Sequence, residues 1–281
     1  MPKVIIAGCG FLGEAAADLF FSSGWEVLAF GREDSVRRLA GKPYEVRAQD
    51  LAREFLLDAP WRGADALIYA VSTRGGDAEA YRLAYLEGFL NTIAAAKPRR
   101  SLFVSSTSVY AQRDGEWVTE ESPADPSRDT GLILRDAEGV ALASGGYVVR
   151  LAGLYGPNRS VLLKRYLAKE AALDGEGSRW INQIHRDDAA KAIFHLFAHR
   201  CAPGIYNVAD DQPATQREVY QWIADFLGGD LPAPAQGEAI RRRGASNKRV
   251  SNARLKSAGW APAYPSYRDA LPELVQAERQ I

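Results

Sequence analysis

The feature that most constrains this chain is a group of three closely spaced glycines directly behind a short apolar run. Val4-Ile5-Ile6-Ala7 has the length and composition of a buried strand, and Gly8-Cys9-Gly10-Phe11-Leu12-Gly13 follows at once. In a strand, loop and helix of this kind the first glycine allows a tight turn, the second a close backbone approach to a pyrophosphate, and the third close helix packing. The first 32 residues are therefore predicted to form a dinucleotide-binding βαβ unit.

Several strand ends are predicted to hold the dinucleotide. Its pyrophosphate is expected at the helix N-terminus, where backbone N–H groups have no partner within the helix. Asp50 and Leu51 follow the third predicted strand, where a side chain can reach the adenine edge, although Asp50 can equally cap a helix. Ala70 and Val71 end the fourth strand, next to the expected ribose. The predicted cofactor-binding residues are Gly8, Gly10, Phe11, Leu12, Gly13, Arg32, Asp50, Leu51, Ala70 and Val71.

The end of the second predicted strand favours NADP(H) over NAD(H). An NAD-selective protein places a carboxylate there to bind the ribose hydroxyls, whereas this chain has Gly31. The next residue, Arg32, can present its planar guanidinium to a 2′-phosphate. Glu33 and Asp34 leave NAD(H) open, because a shift of one residue would restore an acid at this place.

Short apolar runs alternate with segments of helical periodicity, which predicts an α/β fold. The runs are Val4–Ala7, Glu26–Phe30, Tyr44–Ala48, Ala66–Val71, Leu102–Ser105 and Tyr147–Leu151. Helices are predicted over Phe11–Ser23, Asp77–Ala96, Gly131–Ala143, Ser160–Leu173 and Asp187–His199. Right-handed crossovers then give a doubly wound parallel sheet of the Rossmann type. We expect a dinucleotide-binding domain over residues 1–150, rejoined by 181–210, and a smaller C-terminal substrate-binding lobe over 151–281.

Charge and cysteine content exclude several classes of protein. Lys plus Arg and Asp plus Glu both number 35, so no net field attracts nucleic acid or an anionic membrane. The apolar runs are far shorter than the roughly 20 residues of a membrane-spanning helix. Cys9 and Cys201 are too few for a disulfide framework and no signal-like stretch opens the chain, so we expect a cytoplasmic protein.

Four further stretches accompany the glycine loop along the chain. They are Ser105–Tyr110, Arg150–Pro157, Ile184–Ala190 and Gly204–Asp210. With the loop they resemble the extended short-chain dehydrogenase/reductase family of NAD(P)-dependent sugar epimerases and dehydratases, and the resemblance runs nearly the full chain. In that family a serine or threonine binds the reacting oxygen, a tyrosine transfers the proton, and a lysine four residues later lowers the pKa of that tyrosine. The resemblance implies a small-molecule substrate such as a nucleotide sugar.

The chain departs from the family at this tyrosine and lysine. Counting back from Glu138, which resembles the family's helix glutamate, places Thr130 and Leu134 at the two positions. No tyrosine lies between Tyr110 and Tyr147, so another register does not restore the pair. A threonine hydroxyl is too weak an acid for the role, and leucine offers no charge. The departure is similar to that of atypical family members, which have lost part of the catalytic set.

Three residues are predicted to serve the chemistry. Ser106 matches the family's serine and is expected to orient the substrate oxygen. His185 is the best proton donor by its ordinary pKa, although a histidine before a helix N-terminus can be structural. Tyr110 is a further candidate, and a tyrosine at a strand end can equally pack into the core. Trp180 and Asn182 are predicted to line a substrate pocket, with core packing of Trp180 as the alternative.

Two functions fit these residues. The first is an NAD(P)-dependent oxidoreductase or epimerase that acts on a hydroxyl or carbonyl substrate through a non-standard acid/base. The second is a non-catalytic NADP(H)-binding sensor of redox state, which the absent tyrosine and lysine favour. The resemblance also implies a homodimer paired through the helices Asp77–Ala96 and Gly131–Ala143, although the small residues of the second helix suit packing on the sheet equally well. We expect no nucleic acid, no membrane and no metal.

Overall fold

The computed structural model of the chain describes residues 1–73, 75–235 and 246–280. Its strands are β1 (Lys3–Ala7), β2 (Glu26–Gly31), β3 (Glu45–Ala48), β4 (Ala66–Tyr69), β5 (Ser101–Ser106), β6 (Trp117–Val118), β7 (Tyr147–Leu151), β8 (Gly153–Tyr155), β9 (Trp180–Ile181), β10 (Gln183–His185), β11 (Gly204–Val208), β12 (Ala214–Thr215) and β13 (Arg249–Val250). Seven of them form one sheet in the order β11-β7-β5-β4-β1-β2-β3. The pairs of β1 with β2 and β4 are parallel, as are β2 with β3 and β4 with β5. The predicted doubly wound parallel sheet is confirmed.

Helices connect most of these strands. They are α1 (Phe11–Ser22), α2 (Glu33–Arg38), α3 (Ala78–Tyr81), α4 (Gly88–Ala96), α5 (Asp129–Ala143), α6 (Val161–Leu167), α7 (Arg186–Ala198), α8 (Gln216–Leu227), α9 (Ala253–Ser257) and α10 (Tyr267–Glu278). A π-helical turn, Arg82–Glu87, joins α3 to α4, so the predicted helix Asp77–Ala96 is not α-helical throughout. Within the described part of the chain, no helix is both long enough and apolar enough to span a bilayer.

The predicted helix over Ser160–Leu173 is too long. The helix α6 ends at Leu167. Leu173 instead exchanges backbone hydrogen bonds with Ala233 and Ala235, at 3.0 and 2.8 Å, which a residue inside a helix cannot do. Tertiary pairing overrides the helical periodicity of this segment.

The helix α1 packs on the sheet through one face. Its buried residues Leu12, Ala16, Ala17 and Phe20 recur at the spacing that places them on one side of a helix. Phe20 is fully buried, and burying such a ring contributes about 1.5–3 kcal/mol. This packing holds the start of α1, and with it the glycine loop, at the end of β1.

Two compact units divide the chain. The first comprises Met1–Val109, Ala124–Arg150 and Ala190–Tyr206, and the second comprises Tyr110–Pro123, Leu151–Ala189 and Asn207–Ile281. The expected boundaries differ at residues 110–123, 181–189 and 207–210, which belong to the second unit. The first unit contains the glycine loop and β1 to β5. The second contains three two-stranded sheets, β10 with β8, β12 with β9 and β13 with β6.

Sequence reasoning missed the helices α8 and α10 of the second unit. Each begins with a capping box, formed by Thr215 with Glu218 and by Ser266 with Asp269. These pairs lie three residues apart and are a signal that the sequence itself displays. The buried faces of α8 and α10 form the core of this unit together with Leu163 of α6.

Candidate cofactor site and catalytic residues

Gly8 and Gly13 are required by the packing of the loop itself. Gly8 has a φ of +96°, which L-residues rarely adopt, and a Cβ there would lie 2.7 Å from the backbone of Ala70 and Val71. A Cβ on Gly13 would lie 2.2 Å from the Gly8 carbonyl oxygen. The two glycines therefore let the loop, the end of β4 and the first turn of α1 approach each other closely.

The packing of the described residues does not require a glycine at position 10. Among the described residues, no atom would lie within 4 Å of a Cβ on Gly10, and the φ of Gly10 is −98°. Within this described part of the chain, the space next to Gly10 is open and no side chain caps the N-terminus of α1. The loop thus leaves room, and a helix N-terminus, for a pyrophosphate, so the residues present fit a bound dinucleotide. Burial raises the pKa of the neighbouring Cys9 to about 12, so this thiol stays protonated.

Arg32 is available to a phosphate at the end of β2. Among the described residues, nothing forms a hydrogen bond or ion pair with its exposed guanidinium. Arg37 and Arg38 of α2 are each paired with a carboxylate. A Cβ on Gly31 would lie 2.8 Å from the Cβ of Ser35, so an acidic side chain at position 31 fits only if Ser35 moves.

Asp50 and Leu51 follow β3 in a turn. The Asp50 Oδ1 accepts the backbone N–H of Ala52 at 3.1 Å, so the residue forms a local turn and opens no helix. Leu51 is buried, and its carbonyl oxygen accepts the Asn91 side-chain amide at 3.2 Å. The exposed Asp50 carboxylate is the part of this pair that a ligand can reach.

Ser105 and Ser106, at the end of β5, make different contacts. The buried Ser105 hydroxyl donates to Glu138 Oε1 at 2.6 Å. The half-buried Ser106 Oγ accepts the backbone N–H of Ser108 at 3.1 Å. Its own proton has no acceptor among the described residues, which suits a donor to an external oxygen.

Glu138 of α5 is the centre of a buried ion-pair network. Its side chain is fully buried, and Arg150, whose side chain is 2% exposed, donates to both carboxylate oxygens at 3.0 and 2.7 Å. Ser105 donates to the same carboxylate, and Arg135 pairs with it from the helix surface. The network joins β5, α5 and β7 and holds the strand end that carries Ser106.

The positions of the family's tyrosine and lysine lie at the start of α5. Thr130 is half-buried, and Leu134 is buried. A buried leucine can neither donate to a ribose hydroxyl nor hold a cation near a phenol. The helix supplies no acid/base pair at these positions.

Tyr110 is a core residue of the second unit. It is fully buried, and its hydroxyl donates to Asn207 Oδ1 at 2.8 Å. The Lys248 ammonium donates to the Tyr110 carbonyl at 3.0 Å, and burial lowers the pKa of Lys248 to about 8. Sequence reasoning missed Lys248 because 138 residues separate it from Tyr110. The geometry favours the core role for Tyr110.

His185 is also fully buried. Its Nδ1 accepts the backbone N–H of Asp187 at 3.3 Å at the start of α7, and its ring centroid lies 4.2 Å from that of Tyr264. Burial lowers the pKa of His185, although the carboxylates of Asp187 and Glu273 act in the opposite direction. A buried neutral imidazole is a poor proton donor, so the geometry favours the structural role.

Trp180 and Asn182 form part of the packing of the second unit. The Asn182 amide binds the backbone of the segment around β13 through both its nitrogen and its oxygen, at 2.9 and 2.7 Å. The Arg249 guanidinium lies over the rings of Trp180 and Trp117, at 4.9 and 5.2 Å. The two hydrogen bonds use one N–H donor and one oxygen lone pair of the Asn182 amide and tie the side chain to the backbone around β13.

The sequence of this chain is similar to a known protein family and to individual known proteins. A model of the NAD dependent epimerase/dehydratase family matches residues 4–209. Protein YeeZ of Escherichia coli strain K12 is 30% identical over 244 residues, which cover 83% of this chain and 86% of YeeZ. The 2-alkyl-3-oxoalkanoate reductase of Stenotrophomonas maltophilia is 27% identical over 267 residues, which cover 85% of this chain and 78% of the reductase.

Solved structures superpose on nearly the whole chain. One from Methylobacillus flagellatus, described as of the NAD-dependent epimerase/dehydratase type, is 32% identical with a TM-score of 0.83 and covers 99% of each chain. MoeE5, solved in complex with UDP-glucuronic acid and NAD, is 20% identical with a TM-score of 0.81 and covers 100% of this chain and 99% of its own. The second likeness concerns the fold alone.

Proposed function

The chain belongs to the NAD-dependent epimerase/dehydratase family, and from this premise we propose that it is an NADP(H)-dependent oxidoreductase or epimerase. The observation that carries the proposal is the glycine loop, where packing accounts for Gly8 and Gly13 but leaves open space at Gly10. A bound nicotinamide supplies or accepts a hydride at a substrate carbon. Ser106 would hold the oxygen on that carbon.

The proposed substrate is a small molecule with a carbonyl or hydroxyl group. The Stenotrophomonas maltophilia relative is, by its name, a reductase of 2-alkyl-3-oxoalkanoates. MoeE5 binds UDP-glucuronic acid together with NAD. An oxoacid and a nucleotide sugar are therefore the two substrate classes to test first. The proposal includes a cytoplasmic location, which the unpaired Cys9 and Cys201 favour.

A homodimer stays a prediction. Leu90 on α4 is 44% exposed and Leu132 on α5 is 50% exposed. Apolar side chains on these two helices support their pairing with a second copy of the chain. Light scattering of the purified protein would test this, since a monomer mass contradicts it.

Turnover tests the proposed function. We expect NADPH absorbance to fall in the presence of a nucleotide sugar, a ketone or an oxoacid. Ser106→Ala removes the donor to the substrate oxygen and should lower turnover by about 10²–10³-fold. Ser108→Ala, at a neighbouring exposed hydroxyl, should leave turnover unchanged. Equal rates in the two variants would remove Ser106 from the site.

Arg32→Ala tests the preference for NADP(H). Loss of a charge-assisted hydrogen bond to the 2′-phosphate removes about 1.5–3 kcal/mol, so the Kd of NADPH should rise by about tenfold or more. The Kd of NADH should change little, because NADH has no 2′-phosphate. Arg37→Ala is the control, since Arg37 is paired with Asp34. Tighter NADH than NADPH binding by the unaltered protein would overturn the preference.

A non-catalytic redox sensor is the second candidate. Thr130 and Leu134 leave α5 without the family's acid/base pair, and Tyr110 and His185 are both buried. Tight cofactor binding without turnover on any substrate of the panel would favour this function over the enzyme.

A further inference from the structure

The first unit contains the glycine loop, Ser106 and a small set of tyrosines. Its buried tyrosines use their hydroxyls within the protein, and these are Tyr44, Tyr69, Tyr147 and Tyr206. Tyr81 and Tyr85 are half-buried. The Tyr85 hydroxyl makes no hydrogen bond to any described residue, so a ligand can engage it.

The backbone around Tyr85 is π-helical rather than α-helical. Tyr85 lies within the π-helical turn Arg82–Glu87. The Tyr69 hydroxyl, on β4, donates to the Ala84 carbonyl oxygen of this turn at 2.5 Å. A Cβ on Gly88 would lie 2.3 Å from the same hydroxyl, so glycine is needed there. π-Helical turns within helices are rare and are frequent at functional sites.

The π-helical turn places Tyr85 beside the two elements that carry the family's catalytic groups. The turn packs against α5, on which Thr130 and Leu134 stand at the tyrosine and lysine positions. The Tyr85 ring lies edge-on to Phe103 of β5, with centroids 6.4 Å apart. Ser106 ends the same strand. The Tyr85 phenol ring therefore contacts β5, and the turn that carries it packs against α5, which has no tyrosine of its own.

We propose that Tyr85 is the proton donor and acceptor of this protein, an inference that rests on the proposed function. In the reductive direction, Ser106 binds the substrate carbonyl oxygen and Tyr85 transfers its hydroxyl proton to that oxygen while the carbonyl carbon takes up the hydride. The product is the alcohol, and the tyrosinate regains a proton from water. The oxidative direction reverses each step. A phenol suits this role because it is a far stronger acid than the Thr130 hydroxyl.

Nitration by tetranitromethane tests where Tyr85 lies without requiring turnover. Trypsin cleaves after Arg82, so Tyr81 and Tyr85 fall into separate peptides whose nitration mass spectrometry can follow. With NADP⁺ at about ten times its Kd, we expect nitration of Tyr85 to slow by about tenfold. Nitration of Tyr81 should change less than that of Tyr85. Equal nitration of Tyr85 with and without NADP⁺ would overturn the proposal.

Tyr85→Phe tests the chemistry, with Tyr81→Phe as the matched control. We expect Tyr85→Phe to lower turnover by about 10²–10⁴-fold with an unchanged Kd for NADPH, and Tyr81→Phe to retain turnover. Unchanged turnover in Tyr85→Phe would contradict the proposal. If NADP⁺ protects Tyr85 but the protein turns over no substrate, the position of Tyr85 beside the cofactor is supported. Only the proposed enzymatic function is then overturned.

Discussion

Replacing Gly10 with leucine is expected to abolish dinucleotide binding while leaving the fold intact. A Cβ at residue 10 meets no atom of the described residues within 4 Å, so the substitution causes no clash of the Cβ with this part of the protein. A leucine would occupy the space beside the N-terminus of α1 and separate a pyrophosphate from the backbone N–H groups. Loss of two charge-assisted hydrogen bonds costs about 3–6 kcal/mol, which raises Kd by more than about 100-fold.

Titration of NADPH fluorescence and a thermal melt measure the two parts of this prediction. Gly139→Leu is the matched control, because a Cβ on Gly139 also meets no atom within 4 Å among the residues that the structure describes, and Gly139 lies outside the loop. Gly13→Ala should behave differently and lose both binding and stability, since its Cβ would lie 2.2 Å from the Gly8 carbonyl oxygen. If Gly10→Leu binds NADPH with the same Kd as the unaltered protein, the loop does not hold the cofactor.

Removing the Glu138 carboxylate is expected to cause the largest loss of stability. In Glu138→Ala, the buried Arg150 guanidinium loses both carboxylate contacts, and the Ser105 hydroxyl loses its acceptor. Breaking a buried ion pair from one side costs about 3–5 kcal/mol, whereas a whole domain is stable by only about 5–15 kcal/mol. The substitution therefore removes a large share of the stability of a domain, and we expect a clearly lower midpoint of unfolding.

The midpoint of urea-induced unfolding measures this effect. Glu138→Gln keeps the shape and an acceptor but removes the charge, so it should lie between Glu138→Ala and the unaltered protein. Asp34→Ala, which breaks the exposed ion pair with Arg37, should cost about 1 kcal/mol or less. A Glu138→Ala midpoint no lower than that of Asp34→Ala would mean that the network contributes nothing.

Part of the candidate site could be predicted from the sequence, and part of it could not. The glycine loop, Gly31 with Arg32 and the absence of a tyrosine on α5 could all be read from consecutive residues. The proposed proton donor, Tyr85, could not be predicted from consecutive residues. His185 is plausible by its side-chain chemistry alone, but the structure buries it, whereas Tyr85 becomes a candidate only when its helix packs on α5.

Local properties were determined by the sequence alone. Strand and helix periodicity, the conformational freedom of Gly8 and the charge of Arg32 depend on a residue and its near neighbours, so they predict the doubly wound sheet and a dinucleotide loop. The end of α6 was predicted wrongly because its cause, backbone pairing of Leu173 with Ala233 and Ala235, lies far along the chain.

Only the tertiary structure decided which polar groups are buried and which can meet a ligand. Tyr69 holds the π-helical turn from another strand, and Glu138 joins three elements through Ser105 and Arg150. Such contacts depend on how helices and strands pack, and no spacing along the chain encodes them. The sequence therefore determined that this protein has a dinucleotide fold without the usual acid/base pair, and the packing decided that the π-helical turn that carries Tyr85 lies against α5.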